Sequence, residues 1–134
     1  MIHILGLDHV VLRVSDPSRM TRFYCDVLGC RIERQRQELG LIQLRAGQSL
    51  IDLVTIDGEI GSKGGAAPGQ EGRNMDHFCL RVEPFDPLAV IAHLIKHGVV
   101  PGETKQRYGA DGTGPSIYIT DPEGNTVELK GPPS

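Results

Sequence analysis

Residues 8–14 read DHVVLRV, and residues 76–82 read DHFCLRV. Five of the seven positions are identical between the two copies, which lie 68 residues apart in the chain. A match at this level indicates an internal duplication, in which one structural unit occurs twice. The duplication sets His9 and His77 at equivalent places in the two copies. The pattern therefore predicts a metal site that draws its histidines from two modules rather than from one local motif.

Each copy starts a pattern that is typical of a strand followed by a helix. In residues 5–14 apolar side chains alternate along the chain, which predicts a strand with one apolar face. Asp16 and Pro17 are residue types that favour the start of a helix, and Asp86 and Pro87 repeat them in the second copy. A glycine follows the last apolar position of each helix, as is common at helix C-termini. The positions predicted to form the apolar stripes are Met20, Phe23, Tyr24, Val27 and Leu28, then Leu88, Ile91, Leu94 and Ile95.

Three further strands are predicted after each helix, which gives an α+β fold of two tandem β-α-β-β-β modules. These strands are residues 30–37, 40–46 and 49–56 in the first copy and 99–106, 116–120 and 125–130 in the second. Aligning the final hairpins places Asp52 in the same position as Glu128, and Gln43 in the same position as Tyr118. A glycine-rich stretch, residues 108–115, is predicted to be an extra loop on the functional face of the second module.

The length predicts one domain, residues 1–134, with module one at 1–57, a glycine-rich linker at 58–74 and module two at 75–134. The net charge of −3 argues against nucleic acid as a partner, because phosphate binding favours a basic face. No apolar stretch approaches the ~20 residues of a membrane span. The three cysteines form no CxxC motif, and no signal peptide is recognisable, so we expect a reduced, cytoplasmic protein.

The paired modules, with a histidine on the first strand and a carboxylate on the last, resemble the vicinal oxygen chelate superfamily. That superfamily includes glyoxalase I, methylmalonyl-CoA epimerase, fosfomycin-resistance enzymes, extradiol dioxygenases and bleomycin-binding proteins. The resemblance covers nearly the whole chain, and residues 114–131, GPSIYITDPEGNTVELKG, are similar to the C-terminal hairpin of the glyoxalase and fosfomycin-resistance branches. The resemblance implies curled mixed sheets around a metal-centred cavity.

Carried over residue by residue, the resemblance implies four metal ligands, His9, Asp52, His77 and Glu128. Asp52 departs from the glyoxalase I pattern, which usually has Glu at this place. An aspartate either ligates the ion, holds a bound water or acts as a base beside it. Nitrogen and oxygen ligands of this kind suit Ni, Co, Zn, Mn or Fe as a divalent ion.

Three classes of function are compatible with these residues. The favoured one is a glyoxalase-like isomerase or lyase acting on a small oxygenated substrate that chelates the metal, with Glu128 or Asp52 as the base. The alternatives are an Fe(II) extradiol-type dioxygenase, for which Tyr118 would supply acid–base chemistry, and a non-catalytic small-molecule-binding protein of the resistance type. A fosfomycin-type addition is disfavoured, since the spacing from Lys105 to Tyr118 is longer than that branch has.

Strand alternation and the resemblance together give a set of candidate substrate-binding residues and an orientation for the strands. The candidates are Gln43, Cys79, Lys105, Arg107, Tyr108, Ser116 and Tyr118, and alternation places Leu50, Val54, Thr126 and Lys130 on the same face. Asp8 and Asp76 are predicted to point away from that face and to hold turns. His93 and His97 fall on the polar face of the second helix, and we interpret them as a solvated surface. The chain is also expected to form a homodimer.

Overall fold

The computed structural model describes residues 1–133, which form two compact units, residues 1–74 and residues 75 onward. Each unit is a β-α-β-β-β module with a four-stranded mixed sheet, as the sequence predicts. None of the helices in residues 1–133 has both the length and the apolar character that crossing a bilayer would require.

In the first unit the chain runs through four strands and one helical segment. The elements are β1 (His9–Val14), α1 (Pro17–Arg22) continuing into a π-helical segment (Phe23–Val27), β2 (Arg31–Arg36), β3 (Leu41–Ala46) and β4 (Ser49–Thr55). The strand order is β1-β4-β3-β2, with β1 parallel to β4 and the other pairs antiparallel. Residues 57–74 follow as a segment with one short 3₁₀ turn, Gly61–Gly64.

The second unit repeats this order. Its elements are β5 (Phe78–Arg81), α2 (Pro87–Lys96), β6 (Lys105–Gly109), β7 (Gly112–Thr120) and β8 (Thr126–Lys130). The strand order is β5-β8-β7-β6, again with a parallel first pair and antiparallel remaining pairs. In both units the last strand in sequence therefore lies beside the first. This places Asp52 across from Val11 and Glu128 across from Cys79, at the middle of the duplicated motif.

Both helices begin where their caps predict. The Asp16 side chain accepts a hydrogen bond from the backbone N–H of Arg19, and the Asp86 side chain accepts one from Leu88, which satisfies N–H groups that lack a partner within the helix. A buried apolar layer lies between helix and sheet in each unit. It contains Leu12, Val14, Met20, Tyr24, Leu44, Ile51 and Leu53 in the first unit and Leu94, Ile117, Ile119, Val127 and Leu129 in the second.

Three expectations about the elements are wrong. The strand predicted at residues 99–106 lies further along the chain, as β6 (Lys105–Gly109). The predicted loop at residues 108–115 is mostly strand, because β6 and β7 form a hairpin that turns at Ala110 and Asp111. The predicted stripe of the second helix is also only partly buried. Leu94 is buried, whereas Leu88 is 80% exposed and Ile95 60% exposed.

Candidate functional site

In the first unit a histidine stands next to a buried carboxylate. His9 begins β1, and Asp52 lies on the neighbouring strand β4, where it is only 6% exposed. His9 Nε2 is 4.0 Å from Asp52 Oδ2. Gln43, directly across the antiparallel pair on β3, donates its side-chain N–H to both carboxylate oxygens at 3.3 Å. Asp52 is thereby held in one orientation, with its charge directed at the imidazole.

The second unit repeats this arrangement with a longer acid. His77 immediately precedes β5, Glu128 lies on β8 and is 6% exposed, and His77 Nε2 is 3.3 Å from Glu128 Oε1. Tyr118 lies directly across from Glu128 on β7, in the place that Gln43 occupies in the first unit. Its ring meets that of His77 edge to face, with centroids 5.3 Å apart. The acid in this unit is therefore accompanied by a phenol rather than by an amide.

The aspartate before each histidine holds the other ring nitrogen. Asp8 Oδ1 is 2.7 Å from His9 Nδ1, and Asp76 Oδ2 is 2.6 Å from His77 Nδ1. The expectation that these aspartates point away and hold turns is wrong. A carboxylate on Nδ1 fixes the proton there and leaves Nε2 to accept or ligate, which is the arrangement found around metal-bound histidines. The sequence signal was present, since the dipeptide Asp-His occurs in both copies of the repeat.

The electrostatics of the two pairs favour a cation. The hydrogen bond that His9 donates to Asp8 raises the pKa of His9, with a further contribution from the charge of Asp52 and an opposing one from desolvation. Within residues 1–133, neither Asp52 nor Glu128 forms an ion pair with a lysine or arginine. A buried acid is costly unless it is paired, and the partners of these two acids are the imidazoles of His9 and His77. A divalent ion bound by these residues would neutralise them.

The predicted ligands are present as two pairs, His9 with Asp52 in the first unit and His77 with Glu128 in the second. Among the residues that the structure describes, no group of three or more His, Cys, Asp or Glu side chains is gathered closely enough to hold a metal ion. The donor chemistry of each pair, an imidazole Nε2 beside a carboxylate, is that of Zn²⁺, Ni²⁺, Co²⁺, Mn²⁺ and Fe²⁺ sites. The donor types therefore suit such an ion, with two protein ligands gathered in each unit.

Three of the predicted substrate-binding residues come together beside Glu128. Arg107 donates through one terminal nitrogen to the carbonyl oxygen and the hydroxyl of Ser116, both at 2.8 Å, and its guanidinium lies 4.5 Å from the centre of the Tyr118 ring. Burial and the nearby charge of Glu128 raise the pKa of Tyr118. Lys130 is buried on the same face and donates to the carbonyl of Gly112 at 2.9 Å.

The remaining predicted residues have different positions. Cys79 lies across from Glu128, and burial followed by that acid's charge raises the pKa of its thiol to about 11, so the sulfur stays protonated at neutral pH. Lys105 is exposed, with its ammonium 3.7 Å from Glu103. Tyr108 is 83% exposed and, by strand alternation, lies on the opposite face of β6 from Arg107.

A duplicated β-α-β-β-β module with a histidine at the start of its first strand and a carboxylate on its last defines a protein of the vicinal oxygen chelate class. The chain belongs to the Glyoxalase/Bleomycin resistance protein/Dioxygenase superfamily, whose family model matches residues 6–129. Proteins of this superfamily bind small molecules, many are metalloenzymes, and divalent metals are frequent cofactors.

The chain is similar to several bacterial proteins over almost its whole length. It is 32% identical over 126 residues to virulence protein STM3117 of Salmonella typhimurium, covering 92% of this chain and 81% of that protein. The crystal structure of that protein has a TM-score of 0.80 at 30% identity and covers 98% of this chain and 99% of the other. An integron cassette protein from the mobile metagenome of V. cholerae has a TM-score of 0.78 at 29% identity, covering 98% of both chains. Neither name states a substrate or a reaction.

Proposed function

We propose that this protein is a divalent-metal-dependent enzyme of glyoxalase type, an isomerase or lyase acting on a small oxygenated substrate. The observation that supports this function best is the repeated unit of an aspartate, a histidine and a buried carboxylate. We propose His9, Asp52, His77 and Glu128 as the metal ligands. When bound, a divalent ion supplies Lewis acidity to two neighbouring oxygens of the substrate.

Glu128 is the residue proposed to move the proton. A carboxylate beside a substrate carbonyl removes the proton from the adjacent carbon, holds it on one oxygen and returns it at the next position. The raised pKa of Tyr118 keeps its hydroxyl protonated at neutral pH, so this group can donate a hydrogen bond to a substrate oxygen. Asp52, which Gln43 orients, is the second carboxylate of the proposed site, in addition to Glu128.

Arg107 gives the substrate an orientation. Its contacts with Ser116 and with the Tyr118 ring fix the guanidinium on the face that carries Glu128. A fixed guanidinium binds a carboxylate or another planar anionic group through paired N–H donors. The proposed substrate therefore has an anionic group next to its carbonyl or hydroxyl oxygens.

Proton exchange tests this function without knowledge of the natural substrate. Protein stripped by a chelator is reloaded with Ni²⁺, Co²⁺, Zn²⁺ or Mn²⁺ and incubated in D₂O with the glutathione adduct of a 2-oxoaldehyde or with an acyl thioester. We expect metal-dependent deuterium uptake at the carbon next to the carbonyl, followed by NMR, and its loss in His77→Ala. Metal affinity that is unchanged in both His9→Ala and His77→Ala would contradict the proposed ligands.

Asp52→Asn separates the two roles open to this acid. Loss of metal affinity, measured by calorimetry, identifies Asp52 as a ligand. Loss of proton exchange with the metal retained identifies it as a base or as an orienting group. Asp111→Asn is the matched control, because Asp111 is an exposed acid whose partner is Arg81.

Extradiol-type dioxygenase chemistry is the second candidate, and the position of Tyr118 favours it. A ring-cleaving enzyme needs an acid–base group beside its 2-His-1-carboxylate set, and Tyr118 touches His77 and lies across from Glu128. Oxygen uptake by the Fe(II)-loaded protein in the presence of a catechol would support this candidate over isomerisation. Ligand binding that survives His9→Ala without any turnover would instead indicate a binding protein. The homodimer stays a prediction, which the molecular mass measured by light scattering checks.

A further inference from the structure

The C-terminal end of α2 carries two exposed histidines, His93 in the last turn and His97 at the C-cap, and their rings lie close together. Their centroids are 4.4 Å apart and their planes are inclined by 43°. We propose that this pair forms a second, surface metal site that binds a late first-row divalent ion such as Cu²⁺, Ni²⁺ or Zn²⁺. This site uses none of the four ligands proposed above.

The spacing of the two rings is what a shared ion requires. Residues four apart on a helix lie on the same face, and two histidines at this spacing on one helix face are a known way to bind zinc. Two imidazoles bound side by side to one ion, with bonds of about 2.0–2.1 Å, have centroids roughly 4.5 Å apart. The two ring centres lie at about this separation in the absence of an ion.

The proton on one of the rings is also arranged for binding. His97 Nδ1 is 2.9 Å from the backbone carbonyl oxygen of His93. An N–H donated to that carbonyl leaves Nε2 of His97 as the unprotonated nitrogen, and this pattern is usual for metal-bound histidines. The carbonyl end of a helix carries partial negative charge, which favours a cation there. Lys96 in the same turn opposes it, because its charge repels an ion.

A site of this kind has two protein ligands, with water at the remaining positions. We therefore expect it to bind more weakly than a site with four protein ligands and to prefer Cu²⁺ over Ni²⁺ and Zn²⁺, in the order that imidazole ligands follow. An ion held across one turn also ties the end of α2 together, so it should protect that turn from opening.

Titration with Ni²⁺ alone tests the proposal. In the His9→Ala/His77→Ala protein, from which the proposed ligand histidines are absent, calorimetry should still detect one Ni²⁺ per chain. Adding His93→Ala should weaken this binding by at least about tenfold, since even the loss of an outer partner of a metal site costs roughly that much. If the double variant does not fold, the same comparison in the wild-type background should show one ion fewer per chain in His93→Ala.

A shifted histidine provides the matched control. Ala92 is exposed, and Ala92→His/His93→Ala keeps all five histidines of the chain while moving one ring off the face of His97. We expect this variant to bind Ni²⁺ as weakly as His93→Ala, with helix content unchanged by circular dichroism. Unchanged Ni²⁺ binding in either variant would overturn the proposal, whatever the outcome at His9 and His77.

Discussion

At the scale of single residues, the group on one imidazole nitrogen decides what the other nitrogen can do. In both modules that group is the preceding aspartate, and the nitrogen left over is directed at a buried acid. Alternation along a strand could not predict this orientation. β1 begins at His9 and β5 at Phe78, so Asp8 and Asp76 lie ahead of the regular strands, where alternation no longer fixes the side-chain direction.

Replacing one of these aspartates by its amide should weaken metal binding without harming the fold. Asp76→Asn keeps the size of the side chain but removes the charge that holds the proton on Nδ1 of His77. We expect the affinity for Ni²⁺ or Zn²⁺ to fall about 10–100-fold, the usual cost of losing such a partner. Calorimetry in the His93→Ala background measures this without interference from the surface histidine pair.

Two controls make that result interpretable. Asp111→Asn removes another exposed charge from the same unit and should leave the affinity unchanged, because Asp111 pairs with Arg81 and not with a histidine. Asp8→Asn should repeat the loss seen for Asp76→Asn if both modules supply ligands. Wild-type affinity in Asp76→Asn would show that the hydrogen bond to Nδ1 has no role in binding.

At the scale of elements, the sequence pattern predicts the type and order of the strands and helices better than it predicts where each begins and ends. The paired caps Asp16 and Asp86 are confirmed. The predicted apolar stripe of the second helix is too wide. It includes both Leu94 and Ile95, and adjacent residues of a helix point about 100° apart. Only Leu94 is buried, and Ile95 is directed towards solvent.

Glycine explains why the sequence predicts a loop where the structure has a hairpin. Gly114 lies within β7, where a side chain would meet the carbonyl oxygen of Pro132 at 2.6 Å and that of Gly131 at 2.9 Å. A glycine inside a strand often marks such a close approach of another backbone segment. A single sequence does not distinguish this from the glycine of a flexible loop, so the composition of residues 108–115 favoured the wrong assignment.

The duplicated arginine of the repeat has a different partner in each module, and this difference is testable. The Arg13 guanidinium donates to the backbone carbonyls of Gly61, Gly64, Gly65 and Ala66, at 2.7–3.2 Å, which ties the segment 57–74 to β1. We expect Arg13→Ala to lower the free energy of unfolding by about 1.5–3 kcal/mol, the range for hydrogen bonds to a charged group. Limited proteolysis should also cut within residues 57–74 sooner than in the wild type.

Arg81 is the natural control for this prediction, because it occupies the same position of the second copy. It pairs with Asp111 while 72% of its side chain is exposed, and exposed ion pairs contribute about 0–1 kcal/mol. Arg81→Ala should therefore change the unfolding free energy little and leave the proteolysis of residues 57–74 as it is. Equal effects of the two substitutions would show that the segment is not anchored through Arg13.

At the scale of the whole molecule, the duplication made half of the candidate site predictable. It indicated which histidines and acids are equivalent, and the structure places each histidine beside its acid within its own unit. The neighbours of the acids were harder to predict. Gln43 and Tyr118 hold equivalent positions, yet Gln43 hydrogen-bonds an aspartate and Tyr118 lies across from a glutamate, so the repeat predicts the position of this neighbour but not its chemistry.

Removal of the proposed ion should destabilise the protein, because Asp52 and Glu128 then lose the counter-charge that it would supply. With free metal at 100 times the dissociation constant, binding contributes about 2.7 kcal/mol to the free energy of unfolding. For a chain of this size, that corresponds to a rise of roughly 10 °C in the midpoint of thermal unfolding. Melting curves of His93→Ala protein, recorded with excess Ni²⁺ and with a chelator, measure the difference.

Glu128→Gln, made in the His93→Ala protein, determines whether the metal-dependent rise in the melting midpoint arises at the proposed ligands. The amide has the shape of the acid without its charge, so the metal-free variant avoids burying a carboxylate but weakens the contact with His77, and it should melt close to the metal-free parent. It should also lose most of the metal-dependent rise. A rise of full size in this variant would place the bound ion elsewhere in the chain and would remove the principal support for a catalytic metal at Glu128.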